Sequence, residues 1–395
     1  QDGWAKYVEF SGAYTGYLQY ALPGVAASSV TGIQVQANYR GPAFSRIGLA
    51  ILNSVESWDY VAPLVQRDIP FVTYIHEYAD YILPRTKSTL VGLFSDILVF
   101  SSEHVRDSWR DTLTDIGFDQ ARDSFLLPQR HAVAHPAQED AIRAARARLS
   151  QATGRDLSTV RLVCGAGMMG WRKGTDIFAM TAQICRNRDP DTVFIWIGDG
   201  QNAEDPGFGV WMDYHLRQIA RQDGAQGNLI LLPAGPLYPD VLMAADALFL
   251  SSRLDPLPNV VFDALEAGCH VVHFDGATGF GDATYRAIGR ISAVAYGNPE
   301  AAAQAILALP RKTPCPAPGP DSAAAPDQAQ PDLFARLRDM LMTRLKAQRH
   351  FQRGSSALDV PVLFSSAEAD RDARTREREK LLRYGRHYVW RDADA

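Results

Sequence analysis

Three segments in the second half of the chain hold residue types suited to gripping a diphosphate and its attached sugar. The first is GAGMMGWRKGTDIF, at 165–178. Glycines such as Gly167, placed after an apolar run, let backbone approach a ligand, and Thr175 or Asp176 can cap a following helix. Arg172 and Lys173 stand just before that helix. Cations and helix-start amides in that position together neutralise a departing phosphate. Taken alone, an Arg-Lys pair before a helix is also a common surface feature.

The second segment is SSRLDPLPNVVFDALEAG, at 251–268. Pro256 and Pro258 force an extended turn before a helix, so the amides of Asn259 and Val260 point outward at its start, where an anion fits. Asp255 can then reach sugar hydroxyls, while Asp263, farther into the helix, reaches a ribose. Both carboxylates would equally suit the helix dipole with no ligand present. The third segment is HFDGATGF, at 273–280. Gly276 and Gly279 flank a loop that serves either close approach to a ligand or a plain connection.

The elements that must position these residues are legible as alternating apolar runs and helical stretches. In the second half, strands are expected at 160–167, 192–200, 228–235, 247–252 and 270–276, with helices near 175–187, 211–222 and 260–267. In the first half, IGLAIL (47–52), FVTYIH (71–76) and DILVFSS (96–102) read as strands separated by helices. Unbroken β-branched and apolar runs of this kind specify parallel sheets buried on both faces. A polar Ala/Arg-rich helix at 140–151, ending at Gly154, connects the halves. Two doubly wound units in tandem place a ligand cleft between them, outside the carboxyl ends of the strands.

Taken in order, the segments resemble the retaining glycosyltransferases of the GT-B fold, family-4 type. Such proteins carry R-K-G-x-D, then W-I-G-x-G, then S-R-x-D-P-x-P with an acidic residue seven further on. This chain has Arg172-Lys173-Gly174-Thr175-Asp176, Trp196-Ile197-Gly198-Asp199-Gly200 and Ser252-Arg253-Leu254-Asp255-Pro256-Leu257-Pro258. The family's acidic pair, usually E-x7-E, falls on Asp255 and Asp263. The likeness covers roughly 160–290; a weaker one places His76 toward the donor sugar with Glu77 nearby. The resemblance implies a catalytic set of Asp255, Lys173 and His76. It implies a donor site of Arg172, Gly167, Gly198, Pro258, Asn259, Val260, Asp263 and Gly279.

The chain departs from the family at several points. Asp263 is one methylene shorter than the usual Glu, His270 stands near the usual Gly-x-Pro, and Gly167 occupies a position where many members have Arg. The glycine-rich loop after the family's first strand is not evident, and the portion before His76 is short for an acceptor domain.

The fold expected is α/β: two Rossmann-like domains across a cleft, with a helical C-terminal tail. Residues 1–150 form the acceptor-side domain, 155–310 the donor domain, 311–330 a Pro/Ala-rich linker and 331–395 a charged tail. Leu333, Leu337, Leu341 and Leu345 recur every four residues in that tail, an amphipathic helical period. From 331 onward there are 14 Lys+Arg against 10 Asp+Glu, a mildly basic balance that suits a solvated helix or peripheral membrane contact. The net charge of -5 gives no global field for nucleic acid. Four scattered cysteines fit a reducing, cytoplasmic compartment. QDGWAKYVEF has neither an initiator Met nor a signal-peptide plan, as in a piece of a longer polypeptide.

No metal or other cofactor is expected. His131 and His135 are spaced i, i+4 but bracketed by prolines, and Asp392-Ala393-Asp394 lies at the extreme end. The function expected is sugar transfer, with retention, from a nucleotide-sugar donor to a glycan or glycolipid acceptor in bacterial cell-surface polysaccharide synthesis. Partner modules of a larger synthase are a further expectation. The alternative is a catalytically silent module of the same fold that binds nucleotide or scaffolds partners.

Overall fold

The apolar runs build two parallel sheets. They are seen in a computed structural model that describes residues 50–66, 69–116, 124–128, 138–200, 207–223, 227–312, 339–340 and 342–343. His131, His135, Cys315, Asp392 and Asp394, with Leu333, Leu337, Leu341 and Leu345, lie outside the described residues. The first sheet has the order β1 (Ala50–Asn53), β2 (Phe71–Ile75), β3 (Ile97–Phe100), β4 (Ser124–Leu126), every pair parallel. β2 and β3 are buried along their whole length, which explains why they read as continuous apolar runs rather than alternating ones.

The second sheet comprises β5 (Arg161–Ala166), β6 (Thr192–Ile197), β7 (Leu229–Leu232), β8 (Ala247–Leu250), β9 (His270–Phe274) and β10 (Ile291–Val294). Its order is β10-β9-β8-β5-β6-β7, again all parallel. The chain winds outward from β5 to β7, then returns to the far side of β5 with β8. The winding therefore reverses between β5 and β8, and the loops leaving those two strands flank the switch point where such folds bind ligands. Those loops are the first two chemistry-bearing segments. Behind them the sheet is tied to its helices by aromatic packing. Phe178 meets Phe194, Trp196 and Phe249 with ring centroids 5.1, 5.2 and 6.0 Å apart.

The helix Glu139–Thr153 buries Ile142, Ala145 and Leu149 on one face and ends at Gly154, whose φ of 66° suits glycine. One buried carboxylate fixes this connector to the second sheet. Asp246 accepts from Arg146 Nη2 (3.1 Å), Leu162 N (2.8 Å) and Lys312 N (2.8 Å). Lys312, inside the Pro/Ala-rich stretch by composition, is thus docked and buried at its start. Cys164, Cys185 and Cys269 are buried free thiols. No described helix is long and apolar enough to cross a membrane.

The two halves touch directly. Glu103 N donates to Asp282 Oδ2 (3.0 Å), and Leu254 packs against the apolar cluster of the first half. A Cβ on Gly279 would lie 2.5 Å from Ser102 Oγ, so glycine is required for this approach. Met340, from the tail, packs beside the cluster containing Val72 and Val99 of the first sheet.

Candidate functional site

The loop after β5 and the loop after β8 are joined to each other before either can meet a ligand. Arg253 reaches back to Asp176 with a bidentate pair (2.9 and 2.7 Å), donates to Trp171 O (2.7 Å), and lies 3.4 Å from the centre of the Trp171 ring. Its own amide donates to Arg172 O (2.9 Å), and Ser251 Oγ donates to Lys173 O (3.0 Å). The Arg-Lys-Gly-x-Asp and Ser-Arg-x-Asp-Pro segments are therefore two sides of one clasp. Arg253→Lys keeps the charge but loses the planar fork and the stacking surface. We expect it to lower stability by about 1–2 kcal/mol, read as a drop in thermal midpoint; an unchanged midpoint would deny the clasp a structural role.

At the mouth of the clasp sits Asp255, only 5% exposed. It accepts from Arg172 Nη1 (3.0 Å), Lys173 Nζ (2.5 Å) and Ser252 Oγ (3.1 Å). A carboxylate this buried is stable only when paired, and here two cations and a hydroxyl share it. Gly167 (φ 121°) leaves room for Lys173: a Cβ there would be 3.4 Å from Lys173 Cε. Gly198 supports the same loop, since its missing Cβ would fall 2.0 Å from Gly167 O.

Across a cavity of about 220 Å³, Asp255 and Arg172 face His76, Glu77, Tyr78 and Tyr81 of the first half. Glu77 accepts from Ser54 Oγ, Val55 N (3.4 Å) and His76 N (3.1 Å), which holds the turn after β2. His76 Nε2 lies 2.7 Å from Asn53 Oδ1, and its ring packs edge-on against Tyr74 at 4.1 Å. Asn53 Oδ1 can only accept, so Nε2 carries the proton and Nδ1 is the acceptor. Burial lowers the His76 pKa from 6.5 to about 4. The imidazole is therefore neutral at neutral pH.

That shift makes stability pH-dependent. The unfolded chain binds a proton at His76 between pH 6.5 and about 4 while the folded protein does not. This contribution therefore costs stability as pH falls through that window. We expect denaturant midpoints in wild type to fall more steeply from pH 6.5 to 4.5 than in His76→Gln; parallel profiles would remove His76 as the cause.

The structure brings Asp255, Arg172 and His76 to one cavity. Lys173 does not line it but holds Asp255, with Gly167 beside its side chain and Gly198 against Gly167. Pro258 (φ −67°, ψ 131°) precedes the eight-residue helix Asn259–Glu266, and no side chain caps that helix at Asn259 and Val260. Asp263 accepts from Tyr238 Oη (2.7 Å) and does not line this cavity. Gly279 meets Ser102 of the first half, and its amide donates to Pro256 O (2.6 Å). The close approach expected of Gly279 is thus made by protein. Tyr78, Tyr81 and Tyr238 escaped the sequence reading. The only signal for the first two was a pair of tyrosines just past a strand end.

Residues 160–311 match the family model described as Glycosyl transferases group 1. This segment, less than half of the chain, is similar to group 1 glycosyltransferases. Residues 1–64 match a second model, an N-terminal glycosyl-hydrolase-114-associated domain, which overlaps β1 and the helical turns after it. Among curated proteins no sequence matches the chain.

Solved structures share the fold. HepE of Anabaena in complex with UDP is 16% identical with a TM-score of 0.51, covering 65% of this chain and 68% of that one. Its complex with UDP-glucose gives the same figures. The α,α-trehalose-phosphate synthase (UDP-forming) of Burkholderia vietnamiensis is 14% identical with a TM-score of 0.55, covering 78% of this chain and 74% of that one. The fold of the chain is GT-B, two Rossmann-like units facing across a cleft.

Proposed function

We propose that the chain transfers a sugar, with retention at the anomeric carbon, from a nucleotide-sugar donor to a glycan or glycolipid acceptor. The observation that carries this reading is the Asp255–Arg172–Lys173 cluster at the switch point, facing neutral His76 across the cleft. The UDP and UDP-glucose complexes of HepE favour a UDP-linked donor.

Arg172 and Lys173 turn from Asp255 to the diphosphate and stabilise the leaving group as charge develops. Asp255, held by Ser252, then accepts from sugar hydroxyls. His76 Nδ1 accepts a hydrogen bond from a further hydroxyl of the donor sugar, while Asp263 and Tyr238 reach the ribose. Amides at Pro258 to Val260 meet a phosphate oxygen at the helix start. The donor's own phosphate takes the acceptor's proton, so the protein supplies no base. Two side-chain cations provide the positive charge that a metal would otherwise bring. The role assigned is bacterial cell-surface polysaccharide synthesis at the cytoplasmic side, with partner modules of a larger synthase.

Calorimetric titration with UDP-, GDP- and dTDP-sugars tests the donor half of the reading. Selective micromolar binding of one nucleotide is expected, with UDP first. Binding of none would leave a module of this fold without a donor, as in a silent scaffold.

A further inference from the structure

A second cavity, of about 280 Å³, adjoins the first and shares its walls at Tyr78 and Leu254. Its polar lining is Asp80, His104, Asp107 and Ser108 from the first half, with Gly276 from the loop after β9. Gly276 has φ 71° and nothing within 4 Å of its missing Cβ, so backbone there is open to a ligand. The volume is close to the lower limit of small-molecule sites, about 300 Å³.

Tyr78 is the independent sign of a ligand. The residue is 4% exposed, and its hydroxyl is buried without a hydrogen-bond partner. Leaving such a hydroxyl unpaired costs about 1–3 kcal/mol, a deficit that an arriving oxygen or nitrogen removes. Burial, then the Asp282 and Asp255 carboxylates, raise its pKa, so the phenol keeps its proton and remains a donor. Asp255 belongs to the donor cluster, and Asp282 lies 3.9 Å from His104. The hydroxyl therefore sits in the wall between the two cavities.

The other lining groups show what would fit. Ser108 Oγ already donates to Val105 O (2.7 Å), which leaves Tyr78 and His104 as the side-chain donors. Asp80 and Asp107 are acceptors. Their cationic neighbours, Arg85 at 3.9 Å and Arg110 at 2.9 Å, do not line the cavity. A phosphate or carboxylate inside would face two carboxylates with few donors to satisfy it. Hydroxyl and ammonium groups would find acceptors.

We propose that this cavity is the acceptor subsite, oriented by Tyr78, and that it takes a neutral or amino-bearing sugar rather than a phosphorylated or carboxylated one. The inference rests on the glycosyltransferase reading given above for the adjoining cavity. Glucose, glucosamine and glucose 6-phosphate serve as probes, titrated into the full chain with and without UDP and followed by saturation-transfer NMR.

Glucosamine and glucose bind, and glucose 6-phosphate binds at least tenfold more weakly. Tyr78→Phe weakens both bound sugars about five- to tenfold while its thermal midpoint stays at or above wild type. Asp107→Asn lowers glucosamine affinity more than glucose affinity and changes UDP affinity less than twofold. Equal or tighter binding of the phosphate, no binding of any sugar, or a Tyr78→Phe variant with unchanged sugar affinity overturns the proposal. Sugars binding in this order while UDP fails to bind would overturn the donor reading and leave the subsite standing.

Discussion

Lys173→Ala is expected to lower kcat/KM at least about 100-fold, equivalent to about 2.7 kcal/mol of transition-state stabilisation, the scale of losing one preorganised electrostatic donor. The ammonium is mostly buried and donates to Asp255 Oδ2 at 2.5 Å. Removing it leaves Asp255 held by Arg172 and Ser252, so the variant should fold with a thermal midpoint near that of wild type. The loss should fall mainly on kcat, because phosphate charge is greatest as the leaving group departs. Donor hydrolysis without acceptor gives a second readout, since it needs the same charge neutralisation. A variant with wild-type kcat/KM would remove Lys173 from the mechanism and leave Arg172 as the phosphate cation.

The same cluster shows why part of this site could be read from the sequence and part could not. Arg172, Lys173 and Asp255 lie in short segments directly after apolar strands, and strands buried on both faces leave an unmistakable run of apolar residues. The winding of the second sheet then follows from the alternation of strands and helices, and it puts both segments at the switch point. β4 and β10 were missed because they are three- and four-residue strands with exposed or half-exposed positions, so neither forms an apolar run. The short helix Tyr238–Ala244 was hidden by the prolines around its start. Contacts made across the halves leave no local trace. Tyr78 and Tyr81 reach the cleft only once the two sheets are docked. Gly279 has the same local pattern whether a ligand or Ser102 covers it. Asp246, clamping three distant parts of the chain, is a further case where only the fold reveals the partners.

Gly174→Ala is the second large effect expected, and it acts on the clasp rather than on the chemistry. Gly174 has φ 64°, where a side chain costs about 1 kcal/mol, and a Cβ there would fall 2.0 Å from the Ser251 carbonyl oxygen. That neighbour is backbone next to β8, so relief requires the two loops to part. Forced overpacking adds about 1–3 kcal/mol, for a total of about 2–4 kcal/mol. In a domain of about 150 residues this lowers the thermal midpoint by roughly 5–15 °C. Gly170, four residues earlier, is the control: its φ lies outside the left-handed region and nothing is within 4 Å of a Cβ, so Gly170→Ala should be near neutral. Parting the loops would also pull Lys173 away from Asp255, so Gly174→Ala should lose donor binding even below its midpoint. If the two alanine variants melt together and bind donor alike, the loops are not held by this contact, and the clasp depends on the hydrogen bonds of Arg253 and Ser251 instead.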